Sequence, residues 1–401
     1  MRKKAGRMTE ARRTIAYVAG GKIHVQVDDS PPRVFESTFG EEVAARAKSI
    51  ERRRAWKSEG RSGAFLGGGA LWGAMDEATA TMPAIVTGIA RGRHPRELVY
   101  TLTTSAVTGM FALDIDTGVE TRVIHGTEHK FGDVAVCREP TAFVSTTRHK
   151  NGSVSLAVLP EDGSEVALVT DGDAIDASPA WIAHAPGRLV FQSAGIGRDA
   201  AGTFVAIGPF CIQTLDVRTG DLRVLVEDAR HDYHSPKLLA DGALYCIRRP
   251  HFGADKPPSP LRIALDVVLM PLRLLAALFQ YLNFFTVRYT GKPLVSSGGA
   301  RQQGADARKM LVWGNLVSAS DRARSAVADE ADARVPASSV LLRRAPDGAE
   351  EVLARSVLDF DVDDDGSVVF TNGRSVFALA PDGTRARLVR DAAVDRVVIL
   401  R

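Results

Sequence analysis

His231, Asp232 and His234 are the residues whose types and spacing come nearest to a metal site in this chain. Two imidazoles and a carboxylate within four positions (RHDYHSP) offer nitrogen and oxygen donors to a divalent cation. They open an apolar-alternating strand, and Asp133, Asp176 and Asp395 stand at comparable strand entries. Strands brought together at these entries would converge the donors. Ordinary turns use the same residue types at strand entries, so the metal reading and the turn reading stand side by side. A second pattern, Asp361-Val362-Asp363-Asp364-Asp365-Gly366, matches the first half of a calcium loop. The position for a bidentate Glu holds Asn372, and Val369 stands where a shorter acidic loop would need Asp, so the run reads as an acidic turn. Gly67-Gly68-Gly69 is followed by Ala-Leu-Trp rather than Gly-Lys-Ser/Thr and is no phosphate loop. No G-x-S-x-G elbow occurs. Cys137, Cys211 and Cys246 lie in apolar, strand-like settings without a C-x-x-C pair and are expected as buried free thiols. Trp56, Trp72, Trp181 and Trp313 read as packing residues. No catalytic residue and no cofactor is assigned.

The elements that would position these groups are strands. A turn signal recurs between two period-2 apolar runs: Asp116-Thr117-Gly118, Asp162-Gly163, Thr219-Gly220-Asp221, Asp347-Gly348 and Asp382-Gly383. Glycine there reaches positive φ without steric cost, which two-residue hairpin connections need. Upstream of several hairpins lies another pair. Ser178-Pro179-Ala180-Trp181 leads to GRLVFQS, Ser235-Pro236-Lys237-Leu238 leads to GALY, and Asp359-Phe360-Asp361-Val362 leads to SVVFTN. Two hairpins per unit make a four-stranded antiparallel module. Outside one long insertion the units recur at roughly the 40–50 residues of a propeller blade. The C-terminal VDRVVILR lacks a following partner strand, and the N-terminal runs RTIAYVAGG, KIHVQVDD and RVFES lack a preceding one. Joined, they supply a sixth module and remove the exposed edges of an open array.

The units carrying Ser-Pro-x-Trp/Leu, a Gly turn, an L-x-F/Y strand and a D-x-x-T-G or P-D-G hairpin resemble TolB-type, WD40-like six-bladed propellers. The resemblance implies an all-β fold: a six-bladed β-propeller closed by its N- and C-terminal strands, with two helical insertions. The expected organisation is a basic arm over 1–12 and a single propeller over 13–401. Propellers serve as scaffolds and as enzymes, and some carry metals in their channels as lactonases and lyases do. The alternative function is therefore a metal-dependent enzyme with its site at the channel mouth.

Two insertions interrupt the strands. Residues 38–61 read as a helix opened by a capping box, Thr38-x-x-Glu41. Its apolar stripe is Phe39, Val43, Ala47 and Ile50, and its basic face is Arg46, Arg52, Arg53, Arg54 and Lys57. Residues 1–61 carry 15 Lys/Arg against 8 Asp/Glu, whereas the whole 401-residue chain has a net charge of only +3. The second insertion, 250–308, contains LRIALDVVLMPLRLLAALFQYLNFF at 261–285. At about 100° per residue, Arg262, Asp266, Arg273 and Gln280 share one narrow sector and the rest is apolar. The uncharged run 274–287 is shorter than the roughly 20 residues of a membrane span. The helix is expected to lie on a surface, with Leu274, Leu275, Leu278, Phe279, Leu282 and Phe285 as contact residues flanked by Arg262 and Arg273. Its partner is expected to be an anionic membrane surface, another protein or a second copy of the chain, with no specific nucleic-acid binding. The basic N-terminus lacks the apolar core of a secretory signal. The expected protein is therefore a cytoplasmic, non-enzymatic scaffold, peripheral on the inner face of a membrane if lipid is its target.

Overall fold

The computed structural model describes residues 13–46, 49, 84–104, 107–138, 141–162, 164–251, 309–312, 315–318, 333–390 and 393–400. The chain divides into two compact units, Met1–His251 with Arg322–Arg401, and Phe252–Asp321. In the second unit the described part is one antiparallel hairpin, β19 (Lys309–Val312) on β20 (Asn315–Ser318). The apolar segment 261–285 lies outside the described residues.

The first unit is built from four-stranded antiparallel sets, with strands numbered in chain order. The first set runs β27 (Val394–Leu400), β1 (Thr14–Ala19), β2 (Lys22–Val27), β3 (Arg33–Phe35). Thr14 faces Leu400 and Val18 faces Arg396, so the two chain ends share a sheet as expected. The second set is β4 (Ile85–Arg91), β5 (Glu97–Thr103), β6 (Thr108–Asp114), β7 (Glu120–Gly126). The third is β8 (Phe131–Arg138), β9 (Thr141–Arg148), β10 (Val154–Pro160), β11 (Ala167–Leu168). The fourth is β12 (Ala174–Trp181), β13 (Arg188–Arg198), β15 (Cys211–Asp216), β16 (Leu222–Val226), with β14 (Phe204–Ile207) folded on the far end of β13. One parallel bridge, Val154 to Ile175, joins the third and fourth sets into a larger sheet. The fifth is β17 (His231–Leu238), β18 (Leu244–Pro250), β21 (Val340–Arg344), β22 (Glu350–Arg355). The sixth is β23 (Asp359–Val362), β24 (Val368–Thr371), β25 (Ser375–Leu379), β26 (Arg385–Arg390).

The described turns form where Asp and Gly were read; Gly163 lies outside the described residues. Gly118 has φ 74° and Gly383 φ 86°, conformations that would strain a side chain bearing Cβ. Asp114 Oδ1 accepts from the N–H groups of Asp116 and Thr117, and Asp382 Oδ1 accepts from Thr384 N–H. These bonds hold both carboxyls below the usual carboxylate range.

The middle strands are buried on both faces, because successive residues feed different apolar clusters. Tyr100 packs with Ala16, Val18 and Val25 of the first set, while its neighbour Val99 packs with Phe131 and Phe143 of the third. Tyr245 joins Phe360 and Phe370 of the sixth set, while Cys246 joins Val190 and Ile212 of the fourth. A further cluster sets Val369, Val376 and Val389 of the sixth set against Ile15, Tyr17 and Val397 of the first. Each large apolar side chain so buried contributes roughly 1.5–3 kcal/mol.

One helix is described, over 38–46, and its cap differs from the expected one. Ser37, not Thr38, is the N-cap: its Oγ accepts from Gly40 N–H at 3.1 Å and its carbonyl from Glu41 N–H at 3.0 Å. Thr38 Oγ1 donates instead to Glu120 Oε1 at 3.0 Å, because β7 places that carboxylate against the helix start. Phe39 packs on Phe111, ring centroids 5.1 Å apart, while Arg46 points to solvent beside Glu42. Arg52, Arg53, Arg54 and Lys57 lie outside the described residues, as do Gly67-Gly68-Gly69, Trp56, Trp72 and Trp313.

Candidate functional site

The first strands of the six sets are β4, β8, β12, β17, β23 and β27. They touch in that order, and β27 also touches β4. All six line one cavity of about 680 Å³, using the C-terminal halves of β8, β12 and β17. Asp133, Ser178, Ser235, Asp359 and Arg396 line it, together with the more exposed Arg138, His184 and Asp364.

The Ser-Pro pairs shape this cavity. Pro179 and Pro236 have no N–H, so the antiparallel ladder cannot run through them. The registers of β12 and β17 slip there, between Ala177 and Ala180 and between His234 and Lys237. Ser178 and Ser235 take positive φ, 49° and 51°, which turns their amides out of their own sheets. Each amide is captured by the preceding set: Ser178 N–H by Asp133 Oδ2 at 2.9 Å, and Ser235 N–H by Gln192 Oε1 at 2.8 Å. The motif that marks two of the units in the sequence is thus also a latch to the preceding set.

Charges complete the latching. Arg396 of β27 pairs with Asp133 of β8, and its Nη1 lies 3.6 Å from Asp359 Oδ1 of β23. Asp359 Oδ2 accepts from Val397 N–H, and Asp361 Oδ2 from Ile399 N–H, both at 3.0 Å. Lys237 Nζ lies 3.2 Å from Asp361 Oδ1. Arg91 donates to Ile399 O at 3.0 Å and pairs with Asp363 at 3.4 Å. Burial holds the Asp359 carboxyl above the ordinary range even though Arg396 pulls the other way.

The calcium-like run is an acidic turn, as read. Asp361 faces β27 and Lys237, Asp363 pairs with Arg91, and Asp365 Oδ1 accepts from Ser367 N–H at 2.8 Å. The candidate metal ligands also diverge. His231 Nδ1 bonds Asp228 Oδ2 at 2.7 Å. Asp232 Oδ1 accepts from Phe210 N–H at 2.9 Å and meets His251 Nδ1 at 2.8 Å. His234 is buried with its ring 4.9 Å from that of Phe210, and burial together with the charge of Arg249 holds its pKa well below the ordinary value. Asp176 accepts from Ser193 Oγ at 2.6 Å, and burial raises both its pKa and that of Asp395. Among the described residues no three His, Cys, Asp or Glu side chains form a group able to hold a metal ion.

Of the thiols, Cys246 is buried and its pKa is pushed by burial up to about 12. Cys137 and Cys211 are only half-buried, because Cys137 nears the cavity end of β8 and Cys211 begins β15. Trp181 lines the cavity and packs, partly buried, against the cluster of Leu156, Leu189 and Phe191. Sequence reasoning missed Arg396, Lys237 and Arg249. Their partners lie on other sets, and no local spacing announces them.

This arrangement of antiparallel sets around a polar-floored cavity defines a β-propeller. No family model matches the chain, and no curated protein matches it in sequence. Among solved structures it is similar to a chain of a nidogen/laminin complex, with TM-score 0.51, 9% identity, and 97% of this chain and 98% of that one covered. It is likewise similar to TolB from Acinetobacter baumannii, with TM-score 0.51, 11% identity, and 97% and 66% covered. At such identities the likeness is one of fold. Among the described residues no helix is long and apolar enough to cross a membrane.

Proposed function

We propose that this protein is a six-bladed propeller, closed by its terminal strands, that acts as a non-enzymatic scaffold. The reading is carried by one observation: six of the cavity's charged groups are spent on holding the sets together. Asp133, Asp359, Asp361, Arg396, Lys237 and Arg91 bind one another or backbone groups of neighbouring strands. A general acid or base must instead present a proton-exchanging atom to a substrate. The succession of first-strand contacts and the cluster joining the sixth set to the first support the blade count and the closure.

The scaffold docks through the apolar segment 261–285, whose sequence spacing at about 100° per residue sets Leu275 and Phe279 opposite Arg262 and Arg273. The fourth set adds exposed apolar surface, with Phe204 53% and Val205 63% exposed on β14 and Leu222 and Val224 exposed on the edge strand β16. The test is flotation of the full chain with anionic and neutral vesicles beside a Leu275→Asp/Phe279→Asp variant. Flotation with anionic vesicles that the variant loses is the expected result. If neither protein floats, the lipid reading is overturned and the docking surface belongs to a protein contact.

A further inference from the structure

Three of the outer strands carry several charges on a solvent-facing edge. β22 has Glu350, Glu351 and Arg355, β26 has Arg385, Arg387 and Arg390, and β7 has Glu120 and Arg122. Charge of this kind keeps an edge strand from pairing with another chain. β16, the outer strand of the fourth set, departs from that pattern. It reads LRVLV, and its one charged side chain, Arg223, already lies 2.7 Å from Asp221 of the same chain. Leu222 and Val224 are 52% and 51% exposed.

The register of β16 fixes what this edge offers. Where the β15–β16 hairpin closes, Asp216 N–H donates to Asp221 O at 3.0 Å. Antiparallel alternation then turns the main-chain groups of Arg223 toward Thr214, and those of Leu222 and Val224 outward. Leu222 stands opposite Leu215, which shares an apolar cluster with Leu156 of the third set, so Leu222 and Val224 both lie on that face. The outer strand of the third set, β11, is only two residues long.

We propose that β16 pairs antiparallel with β16 of a second copy of this chain, about a two-fold axis passing through Arg223. The register is self-complementary, as an isologous contact requires. Leu222 of each copy exchanges main-chain hydrogen bonds with Val224 of the other, which uses the outward groups of both residues. The same pairing sets Leu222 against Val224 twice on one face. On the opposite face the two Arg223 side chains meet at the axis. Asp221 of each copy stands diagonally from the other copy's Arg223, within reach of a long side chain, so both carboxylates flank the like charges. Dimerisation through this edge names one partner of the proposed scaffold and does not draw on segment 261–285.

The experiment is sedimentation equilibrium of the full-length protein over a concentration series, beside Leu222→Lys/Val224→Lys. The native chain is expected to pass from monomer to dimer as concentration rises, and the double variant to stay monomeric throughout. Arg223→Cys tests the register. Its two Cα atoms would lie about 4.5 Å apart across the axis, within disulfide range, so mild oxidation is expected to give a covalent dimer. The native protein, with its own three free cysteines, is the control. Leu275→Asp/Phe279→Asp is expected to keep the dimer, which separates this edge from the lipid reading. A native chain that is monomeric at every concentration overturns the contact, as does a dimer retained in the lysine variant or lost in Leu275→Asp/Phe279→Asp. A dimer that Arg223→Cys does not lock overturns the register. If the lysine variant does not fold, the Arg223→Cys cross-link decides.

Discussion

Two arginines approach the same carboxylate, Asp359, from different strands. Arg396 comes from β27 and meets Asp133 and Asp359, and so ties three sets together at the cavity floor. Arg249 comes from β18, lies as deep, and bonds neither of the carboxylates near it. The same residue type in nearly the same surroundings therefore serves opposite ends. Arg396 repays part of its desolvation through its ion pairs, whereas Arg249 has only the attraction of Asp232 and Asp359, with no hydrogen bond from Nε or Nη1. Burial alone does not say whether a charge is structural. Its hydrogen bonds do.

The contrast breaks most visibly at Arg396. Arg396→Met should leave Asp133 and Asp359 in a low-dielectric floor without their counter-charge and lower stability by about 3–5 kcal/mol in urea unfolding. A variant as stable as the native protein would show that the floor is open to water. Arg249→Met should cost less, about 1–2 kcal/mol, since Nε and Nη1 have no hydrogen bond to lose and only the attraction of Asp232 and Asp359 goes with the charge. If both variants lose stability alike, the two arginines do the same job and the comparison is void.

Asp176 sharpens the point with pH. Burial raises its pKa, so between the ordinary carboxyl value and the raised one the folded state binds more protons than the unfolded state. Stability therefore falls as pH rises through that window, by about 1.4 kcal/mol for each unit of displacement. Asp176→Asn does not titrate. The melting temperature of the variant minus that of the native protein should be small near pH 4, grow as pH rises, and level off; a flat difference would mean Asp176 is not desolvated. The smallest effect belongs to the helix start. Ser37→Ala should cost about 1 kcal/mol and Thr38→Ala less, because only Ser37 caps the helix, and amide exchange over 39–43 would report the order.

Much of the fold was legible in the sequence. Aspartate and glycine at the turns, period-2 apolar runs and unpartnered strands at both ends depend on local chemistry, and each appears where it was read. The candidate site was barely legible. His231, Asp232 and His234 are neighbours in sequence, yet alternation along β17 and the approach of Phe210, Asp228 and His251 give each a different partner. The Ser-Pro pairs were visible as unit markers, but their capture by Asp133 and Gln192 was not, because those acceptors sit 45 and 43 positions away.

The amino-acid sequence by itself determined where the chain turns and which faces of its strands are apolar, since both follow from neighbours within a few residues. Only the tertiary structure decided which buried charges are answered. Arg396 finds Asp133 across 263 residues, while Arg249, facing Asp232 across one strand pair, finds no acceptor for Nε or Nη1. Whether a charge in a low-dielectric interior is compensated depends on distances of a few ångströms between separate sheets, and no spacing along the chain encodes those.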